Sequence, residues 1–320
     1  MNRLLHSAFS QTVELLPDEL VDAASMTLLE VDVLSAKGGL SRIRKTGSPG
    51  GWTFDTAALN AHVRARGAFQ KDHVVVLTVM RGGDASICGV PLDDGMILVL
   101  PDGAEITASI RNAVVYSASV LPVDTWAGIV DVATGGAEPA IIEQAHALRQ
   151  SPEAFALMAK SLTSAIASFD RQEDAGTEMP GPYIDYLGAV ASSTAGPDEF
   201  HRRLSRSSHH RQKQAWLAEE LIHAKLHEPL SVMGICREVR VSRRQLEYAF
   251  QTTFGIGPRE YLRLLRLNES RRQLKSGRAG SRTVTDIAMG VGITHLSRFA
   301  QSYRTLFGET PLQTLRGGGN

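Results

Sequence analysis

Five of the six positions from 243 to 248 carry side chains that donate or accept several hydrogen bonds: Arg243, Arg244, Gln245, Glu247 and Tyr248. They lie in the stretch Leu230 to Phe250, LSVMGICREVRVSRRQLEYAF. A solvated helix face has no physical need for so dense a row of guanidinium, amide, carboxylate and phenol groups. A helix laid in the major groove of duplex DNA does, because arginine and glutamine make paired hydrogen bonds to base edges and cationic groups meet phosphates. A second set of the same character, His295, Leu296, Ser297, Arg298 and Gln301, stands about fifty residues later within Thr283 to Tyr303, TVTDIAMGVGITHLSRFAQSY. His295 has no partner at metal-ligand spacing, so it is read as a groove-facing or capping residue rather than a ligand.

Both sets require short helices in pairs. In the first stretch Ser231 is placed to cap a helix with Val232, Ile235, Cys236 and Val239 inward. After a tight turn, Ser242 caps a second helix that buries Leu246 and Phe250. In the second stretch Thr283 or Thr285 caps, Ala288 is the small contact residue, Gly292 makes the turn, and Thr294 precedes a helix with Phe299 and Tyr303 inward. Each stretch is thus a helix-turn-helix, and its repetition argues against coincidence. Between them Pro258 to Leu274, PREYLRLLRLNESRRQL, predicts one long helix. Leu262, Leu265 and Leu274 form its apolar side, and Arg259, Arg263, Arg266, Arg271 and Arg272 its basic side. Such a rigid spacer would hold two recognition helices about 34 Å apart, one turn of the duplex.

The formal charge is zero, but its distribution is not even. Residues 1–210 hold 16 Lys and Arg against 25 Asp and Glu, while residues 211–320 hold 18 against 9, a net +9. A basic C-terminal part is the electrostatic footprint of a polyanion binder, since each cation on a phosphate releases condensed counterions. The two cysteines, Cys88 and Cys236, are far apart and lack neighbouring ligands, which predicts neither a disulfide framework nor a zinc site and fits a reducing cytoplasm. The first twenty residues reach Glu14, Asp18 and Glu19 before any long apolar run, so neither a secretory signal nor a membrane span is expected there.

Upstream, residues 27–121 read as mostly β. VVVLTVM (74–80), MILVL (96–100) and VVYSASV (114–120) are short and rich in β-branched residues, with Gly-Gly-Asp, Asp-Asp-Gly and Pro-Asp-Gly turns between such runs, the pattern of a small sandwich or barrel. From Glu138 to Phe169 the spacing changes to three and four, predicting two helices divided at Ser151-Pro152, either packed on the barrel or forming a dimer seam. Residues 171–213, rich in Gly, Pro, Ser and charge, read as a linker with one possible short helix at Tyr183 to Ala191. The expected architecture is α+β: residues 1–170 a β domain with a helical pair, 171–213 a linker, and 214–320 an all-α domain with two helix-turn-helix motifs joined by a linker helix.

Residues 214–320 resemble the DNA-binding domain of the AraC/XylS family of bacterial transcription regulators. The resemblance is carried by the first motif with Ser242 and Leu246, by FGIGPREYLRLLRL (254–267), by TVTDIAMGVGI (283–293) and by FAQSYRTLFGETP (299–311). It implies base contacts from Arg244, Glu247 and Tyr248 and from Leu296, Ser297, Arg298 and Gln301. It also implies a promoter on duplex DNA as partner, RNA polymerase beside it, a homodimer, and a cytoplasmic, nucleoid-associated location. One position departs from the pattern: the first motif's turn, where the family usually has Gly, carries Arg240. Residues 1–170 resemble more faintly the cupin-like barrels that sense an effector or dimerise in that family.

No catalytic centre is expected. Metal-dependent cupins place two histidines one residue apart on a strand, and no such pair precedes His209-His210. There is no G-x-S-x-G, His62, His73 and His146 have no Ser or Cys partner by spacing, and Cys88 lacks the activating context of a repair methyltransferase. No cofactor or metal is implied, and no effector-binding residue is identifiable. The leading expectation is a regulator controlled by a small molecule bound in residues 1–170. The alternative is a regulator whose N-terminal domain only dimerises or binds a protein.

Overall fold

The computed structural model describes residues 9–15, 17–19, 28–36, 41–47, 51–136, 146–171, 179–194, 206–276 and 282–317. The chain divides into two compact units, one of Met1–Glu30, Gly39–Asn60 and Ala65–Arg203, the other of Val31–Gly38, Ala61–Arg64 and Leu204–Asn320.

The first unit is built on strands. β1 (Phe9–Leu15), β3 (Ser41–Gly47), β4 (Thr53–Leu59), β11 (Val114–Pro122), β6 (His73–Arg81), β9 (Met96–Leu100) and β12 (His146–Arg149) form a seven-stranded sheet in that order. β2 (Leu28–Val33), β5 (Val63–Ala68), β10 (Glu105–Ile110), β7 (Ala85–Ile87) and β8 (Val90–Pro91) form a five-stranded one. The expected small sandwich or barrel is a pair of open antiparallel sheets. Val75, Leu100 and Val120 of the larger sheet cluster with Ile106 of the smaller. On its other face the larger sheet carries Phe54, Val76 and Val99, which meet α1 (Val123–Thr134), α2 (Pro152–Arg171) and α3 (Gly181–Thr194) through Trp126, Leu162, Phe169 and Tyr183. A strand covered on both faces is apolar throughout rather than alternating, and Val74–Val79 is buried without a break for that reason.

One expectation needs correction here and another is extended. His146–Arg149 is a strand, not part of a helix: it pairs antiparallel with β9, His146 opposite Val99 and Arg149 opposite Met96. The free edge of a buried apolar strand leaves N–H and C=O groups that must be satisfied, and this outweighs the local helical spacing. The rest of the helix expected before Ser151, residues 137–145, lies outside the described residues. The short helix that the linker allowed at Tyr183–Ala191 is present and longer, Gly181–Thr194, with Tyr183, Tyr186 and Leu187 fully buried. The Tyr186 hydroxyl lies 2.7 Å from Thr78 Oγ1 and 3.3 Å from Ser117 Oγ, so the helix supplies the sheet's buried hydroxyls with a partner.

The second unit holds α4 (Arg206–Ala224), α5 (Val232–Glu238), α6 (Arg243–Phe254), α7 (Pro258–Ser276), α8 (Val284–Gly290), α9 (Leu296–Phe307) and α10 (Pro311–Gly317) around one core. Its two short segments from early in the sequence are internal to it. The Glu219 carboxylate on α4 accepts hydrogen bonds from Arg64 Nε at 2.6 Å and Nη2 at 2.7 Å, and from the Tyr261 hydroxyl at 2.5 Å, with Arg64 and Glu219 both buried. Burial alone would raise the carboxyl's pKa, but Arg64 with Tyr261 outweighs it and holds Glu219 below the ordinary range. The Asn268 side chain donates to the Val33 carbonyl at 2.9 Å and accepts from the Val33 N–H at 2.8 Å, replacing a neighbouring strand for that residue. Asp32, buried, accepts from Arg272 at 2.9 Å.

Removing one partner of a buried, hydrogen-bonded ion pair leaves an uncompensated charge at a cost of roughly 3–5 kcal/mol. Arg64→Ala should therefore lose about that much stability in urea unfolding, and a loss under about 1 kcal/mol would show the pair to be screened by solvent. Because Glu219 titrates lower folded than unfolded, its contribution is complete above about pH 4.3 and fades as pH falls through the folded value. A fragment of 211–320 lacks Arg64 and Val33, so circular dichroism melting should find it less stable than the same helices in the full chain.

Candidate nucleic-acid interface

The first motif is set by its caps. Ser231 Oγ accepts from the Gly234 N–H at 3.1 Å and starts α5, and Ser242 Oγ accepts from the Gln245 N–H at 3.2 Å and starts α6. Leu246, Ala249, Phe250 and Phe254 are fully buried on α6, against Ile235 and Cys236 of α5. Burial pushes the Cys236 thiol up, so the small side chain serves packing and not reactivity. With that face taken, the opposite face has no choice but to point outward. Arg243, Arg244, Gln245 and Tyr248 are exposed, Tyr248 at 57%.

Two residues of this set differ from the reading as a uniform contact row. Gln245 Oε1 accepts from the Ser242 N–H at 2.8 Å, completing a capping box, so its acceptor is engaged and its amide N–H groups remain. Glu247 is half-buried, 3.9 Å from Arg243, and its carboxylate packs so close to Gly257 that a Cβ there would stand 2.7 Å from Oε2.

The second motif repeats the first at an offset of 52 residues through the turn, Ser231 corresponding to Thr283 and Cys236 to Ala288. Thr283 caps α8 in a capping box with Asp286, whose carboxyl is held low by the Thr283 hydroxyl and N–H. In the turns, Val241 N–H donates to Cys236 O at 3.0 Å and Ile293 N–H to Ala288 O at 2.9 Å. Thereafter the offset is 53, because Thr294 is an added residue. The N-cap of α9 is consequently His295, not Thr294, and His295 makes no side-chain cap bond. Phe299, Tyr303 and Leu306 are buried, and His295, Leu296, Ser297, Arg298 and Gln301 are exposed together on the other side. The structure thus brings the predicted residues into two outward faces, one per recognition helix.

The basic side of α7 divides. Arg271 is buried, donates to Glu309 at 2.7 Å and stacks 4.5 Å over the Phe307 ring. Arg272 pairs with Asp32 and Glu269, both at 2.9 Å. Arg266 donates to the Glu228 carbonyl at 2.9 Å and crowds Gly292, where a Cβ would lie 3.0 Å from the guanidinium. Arg263 is bidentate on Glu260 at 2.8 and 2.5 Å. Arg259 is exposed. Helical spacing shows a basic face but cannot separate a cation that pins tertiary structure from one facing solvent.

Arg240 occupies the first turn at φ +55°, and Gly292 the second at φ +78°. The left-handed conformation that glycine adopts freely costs another residue roughly 1–2 kcal/mol. The turn has kept its shape and the arginine carries the strain.

Among the described residues no helix is long and apolar enough to cross a membrane, and no group of three His, Cys, Asp or Glu side chains converges. Comparison with known proteins places the second unit. A family model for a helix-turn-helix domain matches residues 235–317. A probable thc operon regulatory protein of Rhodococcus erythropolis is 36% identical over 100 residues, 31% of this chain and 30% of that protein. The XylDLEGF operon transcriptional activator of Pseudomonas putida is 35% identical over 141 residues, 43% of each. A solved transcriptional regulator with an AraC-type DNA-binding domain from Chromobacterium violaceum is 32% identical, covering 35% of this chain and 97% of that one, with a TM-score of 0.32. The matches to the two curated relatives span less than half of their length. Paired helix-turn-helix motifs on one spacer helix, with these relatives, make residues 235–317 a helix-turn-helix domain of the kind found in AraC-type transcription regulators.

Proposed function

We propose that this protein regulates transcription by binding duplex DNA through α6 and α9, one in each of two adjacent major grooves. The observation that carries the reading is the two-sidedness of both helices: each is held to a core by an aromatic and aliphatic face and presents the other, bearing Arg243, Arg244 and Tyr248 or Arg298 and Gln301, to solvent. On this reading Arg244, Tyr248, Arg298 and Gln301 read base edges, while Glu247 orients Arg243. Action at a promoter would engage RNA polymerase, in the cytoplasm, and residues 1–170 would supply dimerisation.

We further propose that residues 1–170 bind a small effector between the two sheets. Asp55 and Tyr116 support it. Tyr116 stands opposite Ala57 on β4, Asp55 opposite Ala118 on β11, so the two lie diagonally on the sheet face that also bears Val75, Leu100 and Val120. Asp55 is buried, and burial with the Asp55 charge pushes the Tyr116 hydroxyl well up. A buried carboxylate and a half-buried phenol beside small alanines suit a ligand carrying hydrogen-bonding groups. Following the melting temperature against a panel of small metabolites tests this, since a ligand of the native state raises it by mass action. A panel without any shift would favour the alternative, an N-terminal unit that only dimerises or binds a protein.

Footprinting on a selected duplex should show two protected segments one helical turn apart. Loss of the second on replacing Arg298 and Gln301 by Ala is expected, and a single protected groove unaffected by that change would end the bipartite reading. Arg244→Ala should cost roughly 1–3 kcal/mol on the selected site and relax preference at one position. Affinity should fall steeply with salt, and a flat dependence would be incompatible with phosphate neutralisation.

A further inference from the structure

Arg240 stands in the first motif's turn in a conformation that the second motif gives to glycine. The turns match residue by residue: Val239 and Val291 end the helices at φ −88° and −98°, and the following N–H donates to Arg237 O in one and Met289 O in the other. Glycine would serve equally at 240 as backbone. The side chain also gains nothing from the fold. It is exposed, and among the described residues no ion pair engages it, the neighbouring Glu238 being held by Lys225 at 2.8 Å. Arg237, Arg243 and Arg244 are exposed on either side, so four arginines fall within eight positions around the turn. Backbone strain disfavours arginine at 240, and among the described residues no hydrogen bond or ion pair of its side chain offsets it. The turn immediately precedes the N-terminus of α6, the end of the recognition helix nearest the bases on the reading above.

We propose that Arg240 is a phosphate-binding residue that anchors the first motif to the sugar-phosphate backbone flanking the groove entered by α6. Its ligand is a DNA phosphate, so it contributes affinity and placement but no sequence preference. In the second motif a Cβ at Gly292 would stand 3.0 Å from the Arg266 guanidinium, so a side chain there would have to displace it. The anchoring is asymmetric: the first motif holds the backbone through its turn, the second relies on α9. This proposal rests on the DNA-binding reading.

The test separates strain from charge. A duplex selected by the full wild-type chain from a random-sequence library, and an unrelated duplex of equal length, serve as probes for the wild type, Arg240→Gly, Arg240→Lys and Arg244→Ala. Arg240→Gly should melt about 2–4 °C higher yet bind both duplexes more weakly, by roughly threefold or more, with a salt slope lower by about one. Arg240→Lys should keep the affinity, and Arg244→Ala should lose affinity for the selected duplex above all. If Arg240→Gly binds both duplexes as the wild type does, with the same slope, the anchor is refuted while DNA recognition stands. If the wild type selects no duplex at all, both readings fall together.

Discussion

The buried contact of Arg64 with Glu219 and Tyr261 is the constraint on which the second unit's integrity depends. A carboxylate and a guanidinium with almost no water around them are tolerable only when each meets the other's hydrogen bonds in full, and here the fork of Arg64 meets both oxygens of Glu219 while Tyr261 adds a third donor. Glu219 lies on α4 and Tyr261 on α7, so the contact ties the helix that leads into the first motif to the helix that spaces the two. Asn268 and Arg272, further along α7, are engaged by Val33 and Asp32. The helical unit is thus discontinuous in sequence, completed by two short segments that precede it by more than a hundred residues.

A second constraint is economy on α7. A helix that must space two motifs rigidly has to be held on several sides, and arginine does this well because its planar group donates several hydrogen bonds and stacks on aromatic rings. Arg271 does both, on Glu309 and over Phe307. The same residue type therefore serves on α7 to pin helices and on α6 and α9 to face outward. The exposed cations are spread over the unit, with Arg243 and Arg244 on α6, Arg298 and Arg304 on α9, Arg240 in the first turn, and others such as Arg259, Lys275 and Arg282 outside them.

Where a local rule is broken, the surroundings show what replaced it. Arg240 breaks the preference for glycine at positive φ, and among the described residues no ion pair of its side chain compensates, which points outward to an anion. Gly292 obeys the preference and is doubly required, by its own φ and by the guanidinium packed against it. His295 replaces a hydroxyl cap because one added residue displaces Thr294 from the cap position.

The sequence by itself determined the helix-turn-helix pairs, their caps at Ser231, at Ser242 and at either Thr283 or Thr285, their buried faces and their outward residues, because capping and helical periodicity act within a few residues and leave a readable pattern. The family resemblance also marked Arg240 as standing where that family usually has glycine. Only the tertiary structure decided that His146–Arg149 is an edge strand, that Gly181–Thr194 packs as a helix, that the strands form two open sheets, and that Val31–Gly38 and Ala61–Arg64 belong to the helical unit. It alone separated the arginines of α7 that pin from those that face solvent. These outcomes depend on which distant group satisfies a strand edge, a carboxylate or a guanidinium, and a pairing across 155 residues such as Arg64 with Glu219 leaves no trace in local spacing.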